Sequence, residues 1–236
     1  MVVAAAGMLA DAEVCFVGIG TPSQAAVLAK LTHAPLLTLL YESGVADTIP
    51  PRPPLSTGDP AVIADTAFAG DCLSVFGALQ AGRIDVGVLS AAQVDRRGNL
   101  NSTVIGNYSQ PKVRLVGSGG AHDIATLAGR VITLMPHDPR RFVERVDFVT
   151  SPGHPAPDEG TGLVGGGPQA VVTPRATFTF VDGDMTLAVL QPGFSVDDAV
   201  DGFPWRPPQL ARVGHMEPVD PGMLEILRSR VNPGPR

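Results

Sequence analysis

Apolar positions in this chain fall in short runs, each closed by glycine or by small polar residues. Val14 to Val17 is the first, ending at Gly18-Ile19-Gly20, and Thr21-Pro22 then introduces a stretch of helical composition from Ser23 to Lys30. The pattern predicts strand, glycine turn and helix, with Thr21 as the cap and Pro22 in the first turn, where a missing N–H costs nothing. Pro35 to Tyr41 is continuously apolar, the pattern of a strand covered on both faces, and it closes at Glu42-Ser43-Gly44. Together these segments form a βαβ unit.

The pattern then breaks. Asp47 to Pro60 carries prolines that forbid regular structure and predicts a long ordered loop or lid. Asp71 to Ala81 reads as a helix, Arg83 to Leu89 as a strand, and Lys112 to Val116 as another strand running into Gly117-Ser-Gly-Gly-Ala121. Val131 to Met135, Arg145 to Thr150 and Ala170 to Thr173 are further strand candidates, with a glycine-rich loop from Ser151 to Gly167 between the last two. Thr177 to Val181 and Met185 to Leu190, joined at Asp182-Gly183-Asp184, predict a hairpin, and Pro221 to Arg230 a short amphipathic helix. No repeat or linker divides the chain, so the expectation is one α/β domain over residues 1–236. Its expected architecture is an open, mostly parallel sheet flanked by helices, with an antiparallel C-terminal addition. Ligands of such sheets collect at the carboxyl ends of the strands. Gly18 to Gly20, Glu42 to Gly44 and Gly119 to Ala121 are the sequences expected there.

Composition narrows the partners. The 236 residues are 44% hydrophobic and 17% charged, with a net charge of -6 and no basic run dense enough to follow a phosphate backbone, so nucleic acid is not expected. No apolar run reaches 18 residues, so no membrane span is expected either. Cys15 and Cys72 lie in apolar runs at a spacing that suits neither a metal cluster nor a disulfide framework, and both read as buried reduced thiols. The N-terminal stretch, broken by Asp11 and Glu13, resembles a first helix more than a signal peptide. The expected setting is the cytoplasm, and no metal is expected.

Two chemistries fit the first glycine turn. Gly18-x-Gly20 opening a helix, with Glu42 after the next strand, has the outline of a dinucleotide site, but Ser23 stands where the third glycine would allow close packing. Alternatively, backbone N–H groups at the turn hold an oxyanion while Glu42 attacks an activated acyl group. A carboxylate is a weak nucleophile and needs a leaving group as good as a thiolate. Spacing alone favours neither over a tight turn without ligand and a solvated Glu42.

Longer segments carry more information. YESG at Tyr41 to Gly44, AAQVDRRGNLNSTVIGNY at Ala91 to Tyr108, PKVRLVGSGGAHDIA at Pro111 to Ala125 and PRRFVERVDFVTSPG at Pro139 to Gly153 resemble the β subunit of class I CoA-transferases, the glutaconate type in particular. The resemblance is colinear from about Val14 to Thr173. It implies that Glu42 is the catalytic glutamate, forming an acyl anhydride and then a glutamyl-CoA thioester. Gly18 and Gly20 would be the turn facing it, and Gly119, Gly120 and Ala121 the loop lining the CoA channel. Asn99 and Asn101 would border the site, although an Asx turn closing a hairpin accounts for them equally well. The resemblance also implies an α subunit of the same fold, in an αβ heterodimer or α2β2 heterotetramer, with coenzyme A entering only as part of the acyl-CoA substrate.

Two departures shift the expected branch. His122-Asp123 follows the GGA segment, where a histidine beside the acyl pocket could activate water, and the loop at Pro50 to Pro54 is unusually proline-rich. Both raise a hydrolytic reading, and the chain, with its Arg-rich, Lys-poor composition, resembles a subgroup of the family in steroid-degrading actinobacteria that hydrolytically opens the last ring of a cyclic keto acyl-CoA. Ring hydrolysis in steroid (cholesterol) degradation is therefore the first expectation, and true CoA transfer to a glutaconate-like dicarboxylate the alternative. A non-catalytic ligand-sensing protein is a third reading, opposed by the carboxylate at position 42.

Overall fold

The structure is a computed structural model that describes residues 1–155 and 164–233. Helix α1 (Val2–Ala6) precedes β1 (Val14–Val17), α2 (Thr21–Leu31) and β2 (Thr38–Tyr41), the expected βαβ unit. Then come β3 (Val45–Ala46), β4 (Phe68–Ala69), α3 (Cys72–Gln80) and β5 (Val86–Leu89). Two short hairpins follow, β6 (Gln93–Val94) with β7 (Leu100–Asn101) and β8 (Val104–Gly106) with β9 (Pro111–Arg114). The chain continues through α4 (Ala121–Leu127), β10 (Arg130–Leu134), β11 (Pro168–Val172), β12 (Ala176–Val181) and β13 (Asp184–Leu190). It closes with α5 (Val196–Val200), β14 (Gln209–His215) and α6 (Pro221–Ile226), the last running on through Val231.

Ten strands form the main sheet, in the order β14-β13-β12-β11-β10-β5-β1-β2-β3-β4. Its centre, β2-β1-β5-β10-β11, is parallel, as the near-continuous apolar runs require when both faces are covered. One core contains α1, α2 and the strand side chains Cys15, Val17, Leu39 and Tyr41. The other contains residues of α3, α4 and α5 with Phe16, Leu40, Phe142 and Phe178. Alternate residues of β1 and β2 thus enter opposite cores, giving a helix–sheet–helix sandwich. The chain leaves β1 toward β2 on one side and returns to β5 on the other, so the strand order reverses at the carboxyl ends of β1 and β5. A crevice at such a reversal is where open α/β sheets hold ligands.

The predicted C-terminal hairpin is present, and Asp182 and Gly183 both take positive φ (51° and 75°), as a two-residue turn matching strand twist demands. A second antiparallel addition, β3 with β4, covers the opposite edge; these two-residue strands are too short to leave a periodic signal.

Several expectations are corrected. Thr21 is the first helical residue rather than the cap, which is Gly20 at φ +81°, and among the described residues no side chain caps the helix. Lys112 to Arg114 lies in β9, which among the described residues pairs only with β8, in an outlying hairpin; the charges alternating with its apolar residues keep it out of the buried sheet. Arg145 to Thr150 is not a strand: the backbone N–H of Asp147 donates to Gln93 Oε1 and that of Thr150 to Leu100 O, so irregular bonds replace a ladder. Cys15 is buried, and burial pushes its thiol pKa up, but Cys72, the first residue of α3, is exposed. The expected Ser151 to Gly167 loop lies partly outside the described residues. In the proline-rich loop Asp59 is the hub: Arg52 donates to both its oxygens at 2.8 Å, and the Leu55 and Ala61 N–H groups donate at 2.9 Å. The guanidinium holds the Asp59 carboxyl well below the usual carboxylate range.

Candidate active site

Glu42 is the first residue beyond β2, in a tight turn closed by Gly44 N–H donating to Tyr41 O at 2.9 Å. Gly44 has φ +101°, and a Cβ there would lie 2.5 Å from the backbone nitrogen of Asp71, so only glycine fits. The Gly70 N–H in turn donates to Gly44 O at 2.9 Å, pinning the turn to the start of α3. Tyr41 anchors it from below: the residue is fully buried and its phenol oxygen lies 3.3 Å from Ser23 Oγ. Burial pushes the phenol pKa up to about 12. Ser23 thus serves as the tyrosine's partner inside the core, which accounts for the residue that spoils the dinucleotide fingerprint.

The Glu42 carboxylate faces two glycines. A Cβ at Gly119 would lie 3.5 Å from Oε2 and 3.6 Å from Oε1, and one at Gly120 would lie 3.5 Å from Cδ. Any side chain at either position would occupy the space in which a reacting carbonyl must approach the carboxylate. At Gly120 it would also meet the Phe76 ring at 2.6 Å, and that ring packs against Phe16 with centroids 5.6 Å apart. Phe76, one wall of the site, has no signal in the sequence beyond its place on the inner face of α3. Ser43, beside Glu42, keeps a buried hydroxyl with no hydrogen-bond partner among the described residues.

The other expected residues each have local partners of their own. Gly18 donates its N–H to Val88 O at 2.9 Å and a Cβ would stand 2.8 Å from that oxygen, so this glycine serves the junction of β1 and β5. Gly20 starts α2 with nothing within 4 Å of a built Cβ. Asn101 is fully buried, its Nδ2 donating to Gln93 Oε1 and Val104 O, both at 2.7 Å, while its Oδ1 accepts from Thr103 and Val104 N–H. That is the Asx turn, and it leaves the amide nothing to offer a ligand. Asn99 Nδ2 donates to the Asp95 carboxylate at 3.0 and 3.1 Å, and its Oδ1 accepts from Gly153 N–H. Both asparagines therefore shape the first of the two short hairpins, and among the described residues neither hydrogen-bonds to Glu42. Ala121 begins α4, and its carbonyl accepts from Ser151 Oγ at 2.9 Å. His122 is exposed, with Nδ1 3.1 Å from Thr150 O. Since a carbonyl only accepts, Nδ1 carries a proton there.

Residues 1–202 match the family model for coenzyme A transferase. The chain belongs to the coenzyme A transferase family. It is 45% identical over 216 residues to the B-type subunit of the 3-oxoadipate CoA-transferase of Pseudomonas knackmussii, covering 87% of this chain and 81% of that one. The B-type subunit of the glutaconate CoA-transferase of Acidaminococcus fermentans is 35% identical over 244 residues, 97% of this chain and 90% of the relative. The crystal structure of that enzyme superposes with a TM-score of 0.89 at 33% identity, over 98% of this chain and 93% of the other. The expected CoA-transferase-like fold is therefore found.

The same comparisons reverse the expected order of branches. The cholesterol ring-cleaving hydrolase protein of Rhodococcus jostii is 28% identical over 198 residues, 76% of this chain and 75% of its own. The family members that match this chain better are subunits of transferases. Among the described residues no helix is long and apolar enough to cross a membrane.

Proposed function

We propose that this family member is the β subunit of a heteromeric CoA-transferase that moves coenzyme A between an acyl-CoA and a short dicarboxylic acid. The observation that carries the reading is Glu42 on a rigid turn with its carboxylate opposite Gly119 and Gly120. In the proposed cycle the carboxylate attacks the thioester carbonyl, forming a mixed anhydride and releasing the CoA thiolate. The thiolate then attacks the Glu42 carbonyl, giving a glutamyl-CoA thioester and the free acid. An incoming carboxylate reverses both steps and leaves as the new acyl-CoA. Each exchange conserves the group-transfer energy, so the reaction needs coenzyme A and no further cofactor.

The relatives, each named as one subunit of a larger enzyme, support a partner α subunit of the same fold. Apolar side chains exposed on the outlying segments that approach the site, Leu73 on α3 (79% exposed) and Val116 before Gly119 (99%), fit a face completed by that partner. Free Cys15 and Cys72 support a reducing compartment, the cytoplasm.

Transfer and hydrolysis part at the acceptor. With acyl-CoA and the assembled complex, acyl exchange is expected only when a carboxylic acid is supplied. Acceptor-independent opening of a cyclic keto acyl-CoA, with oxygen-18 from water entering the new carboxylate and the CoA thioester retained, would instead establish the hydrolytic reading. A second expectation tests the glycine wall. Gly120→Ala should lower kcat/KM for acyl-CoA by about 10-fold or more, because the methyl intrudes beside the Glu42 carboxylate and against Phe76. Adding Phe76→Leu relieves only the ring contact, so it should recover part of the stability and little of the activity; full recovery of activity would mean that the Glu42 side is not crowded.

A further inference from the structure

Beyond the end of β5 the chain opens a cavity of about 550 Å³, lined by Ser90, Ala91, Ala92, Leu115 and Val116, with Arg114 and Arg141 in its wall. Its position is informative. Ser90 directly follows the strand that pairs with β1 at the reversal of the sheet, and Gly117 N–H donates to Ser102 O at 2.9 Å where the wall turns toward Gly119. Three peptide steps lead from Val116 to Gly119, at most about 11 Å of extended chain. The cavity and the Glu42 carboxylate therefore lie on the same edge of the sheet, joined by the loop that faces the glutamate.

The hydrogen bonds that orient the two guanidiniums go to backbone carbonyls, which leave their charge unpaired at contact distance. Arg141 Nη1 donates to Ala91 O at 3.0 Å, and Arg114 Nη2 donates to Tyr108 O at 3.3 Å while its guanidinium lies 4.9 Å from the centre of the Tyr108 ring. Among the described residues neither has a carboxylate within salt-bridge distance, which is equally true of Arg83, Arg145, Arg212, Arg228 and Arg230, but Arg114 and Arg141 stand together in the wall of one cavity. In a chain of net charge -6, two unpaired guanidiniums in one cavity call for an anion. Arginine's planar fork suits a carboxylate, and the alanine, leucine and valine walls suit a short hydrocarbon chain leading to it.

We propose that Arg114 and Arg141 bind the terminal carboxylate of a dicarboxylic acyl group whose thioester end reacts at Glu42. The inference rests on the transferase reading and names the residues that select its substrate class. A phosphate of coenzyme A is the competing anion, and it is separable by experiment.

Titration calorimetry of the α-containing complex with glutarate and with pentanoate, which differ in one terminal carboxylate, tests the assignment. Wild type should bind glutarate at least about 10-fold more tightly, the worth of one charge-assisted contact. Arg114→Gln and Arg141→Gln should each remove most of that preference, and an unchanged thermal unfolding midpoint shows that the complex is intact. Arg114→Lys should restore part of the preference. A glutarate preference absent in wild type, or retained in both glutamine variants, overturns the proposal, as does a loss confined to coenzyme A affinity. Because the readout is binding, it is independent of turnover: a complex that selects glutarate but exchanges no CoA refutes the transferase reading and leaves the carboxylate site standing.

Discussion

Glu42→Ala in the assembled complex is expected to lower kcat for CoA exchange by at least about 10³-fold, the scale on which loss of a covalent nucleophile is felt. Stability should barely change, because the side chain is half-buried on a turn whose hydrogen bonds are made by the backbone of Tyr41 and Gly44. Intact mass spectrometry gives the sharper readout. Wild type incubated with acyl-CoA and no acceptor should carry a coenzyme A adduct on this chain, and the variant none. An adduct that persists in Glu42→Ala, or turnover within a few-fold of wild type, would remove Glu42 from the covalent pathway. The prediction is strong because the geometry offers this carboxylate an open approach: Gly119 and Gly120 present hydrogen where any other residue would present a side chain within 3.6 Å.

Gly44→Ala is expected to damage fold and activity together. The methyl would stand 2.5 Å from the Asp71 nitrogen and 2.6 Å from two further backbone atoms of that residue, which cannot rotate away. Left-handed backbone costs an alanine about 1–2 kcal/mol and the forced displacement about 1–3 kcal/mol more. Reduced freedom of the unfolded chain returns about 0.4–1 kcal/mol, so strain wins and the net loss is about 2–4 kcal/mol. For a chain of this size that lowers Tm by roughly 4–16 °C. Since the turn carries Glu42, a shift near 1 Å should also reduce kcat by about 10²-fold. Gly58→Ala is the control: nothing lies within 4 Å of its built Cβ and its φ is ordinary, so thermal unfolding and turnover should match wild type. A Gly44→Ala complex as stable and active as that control would show that the turn is not held where the structure has it.

Particular elements show how far the chain can be read in one dimension. The βαβ unit is legible because Val14–Val17 and Pro35 to Tyr41 are apolar without alternation, which only strands buried on both faces tolerate. The hairpin at Asp182-Gly183 is legible because positive φ at two successive positions restricts the residues that fit. Arg145 to Thr150 misleads: β-branched residues favour extended backbone, but a strand also needs a ladder partner, and Gln93 and Leu100 supply isolated bonds instead. Asn99 and Asn101 are drawn to the site by resemblance of their segment, whereas every polar atom of the Asn101 side chain is spent inside its own turn. Phe76, Arg114 and Arg141 escape a reading of the sequence because an aromatic on a helix and two surface-type cations carry no pattern until a fold gives them neighbours.

By itself, the sequence determined the parallel core, the glycine turns at strand ends and the glutamate that follows β2, since burial period, positive φ and motif spacing are local properties written along the chain. Tertiary structure alone decided which glycines meet that glutamate. Gly18, next in line by sequence logic, is consumed by the close approach of β1 to β5, while Gly119 and Gly120, far along the chain, arrive because α4 packs against β5 and β10. The reason is physical: a side chain's partners are set by long-range packing of whole elements, and no local preference records which distant backbone will come within 4 Å of a carboxylate.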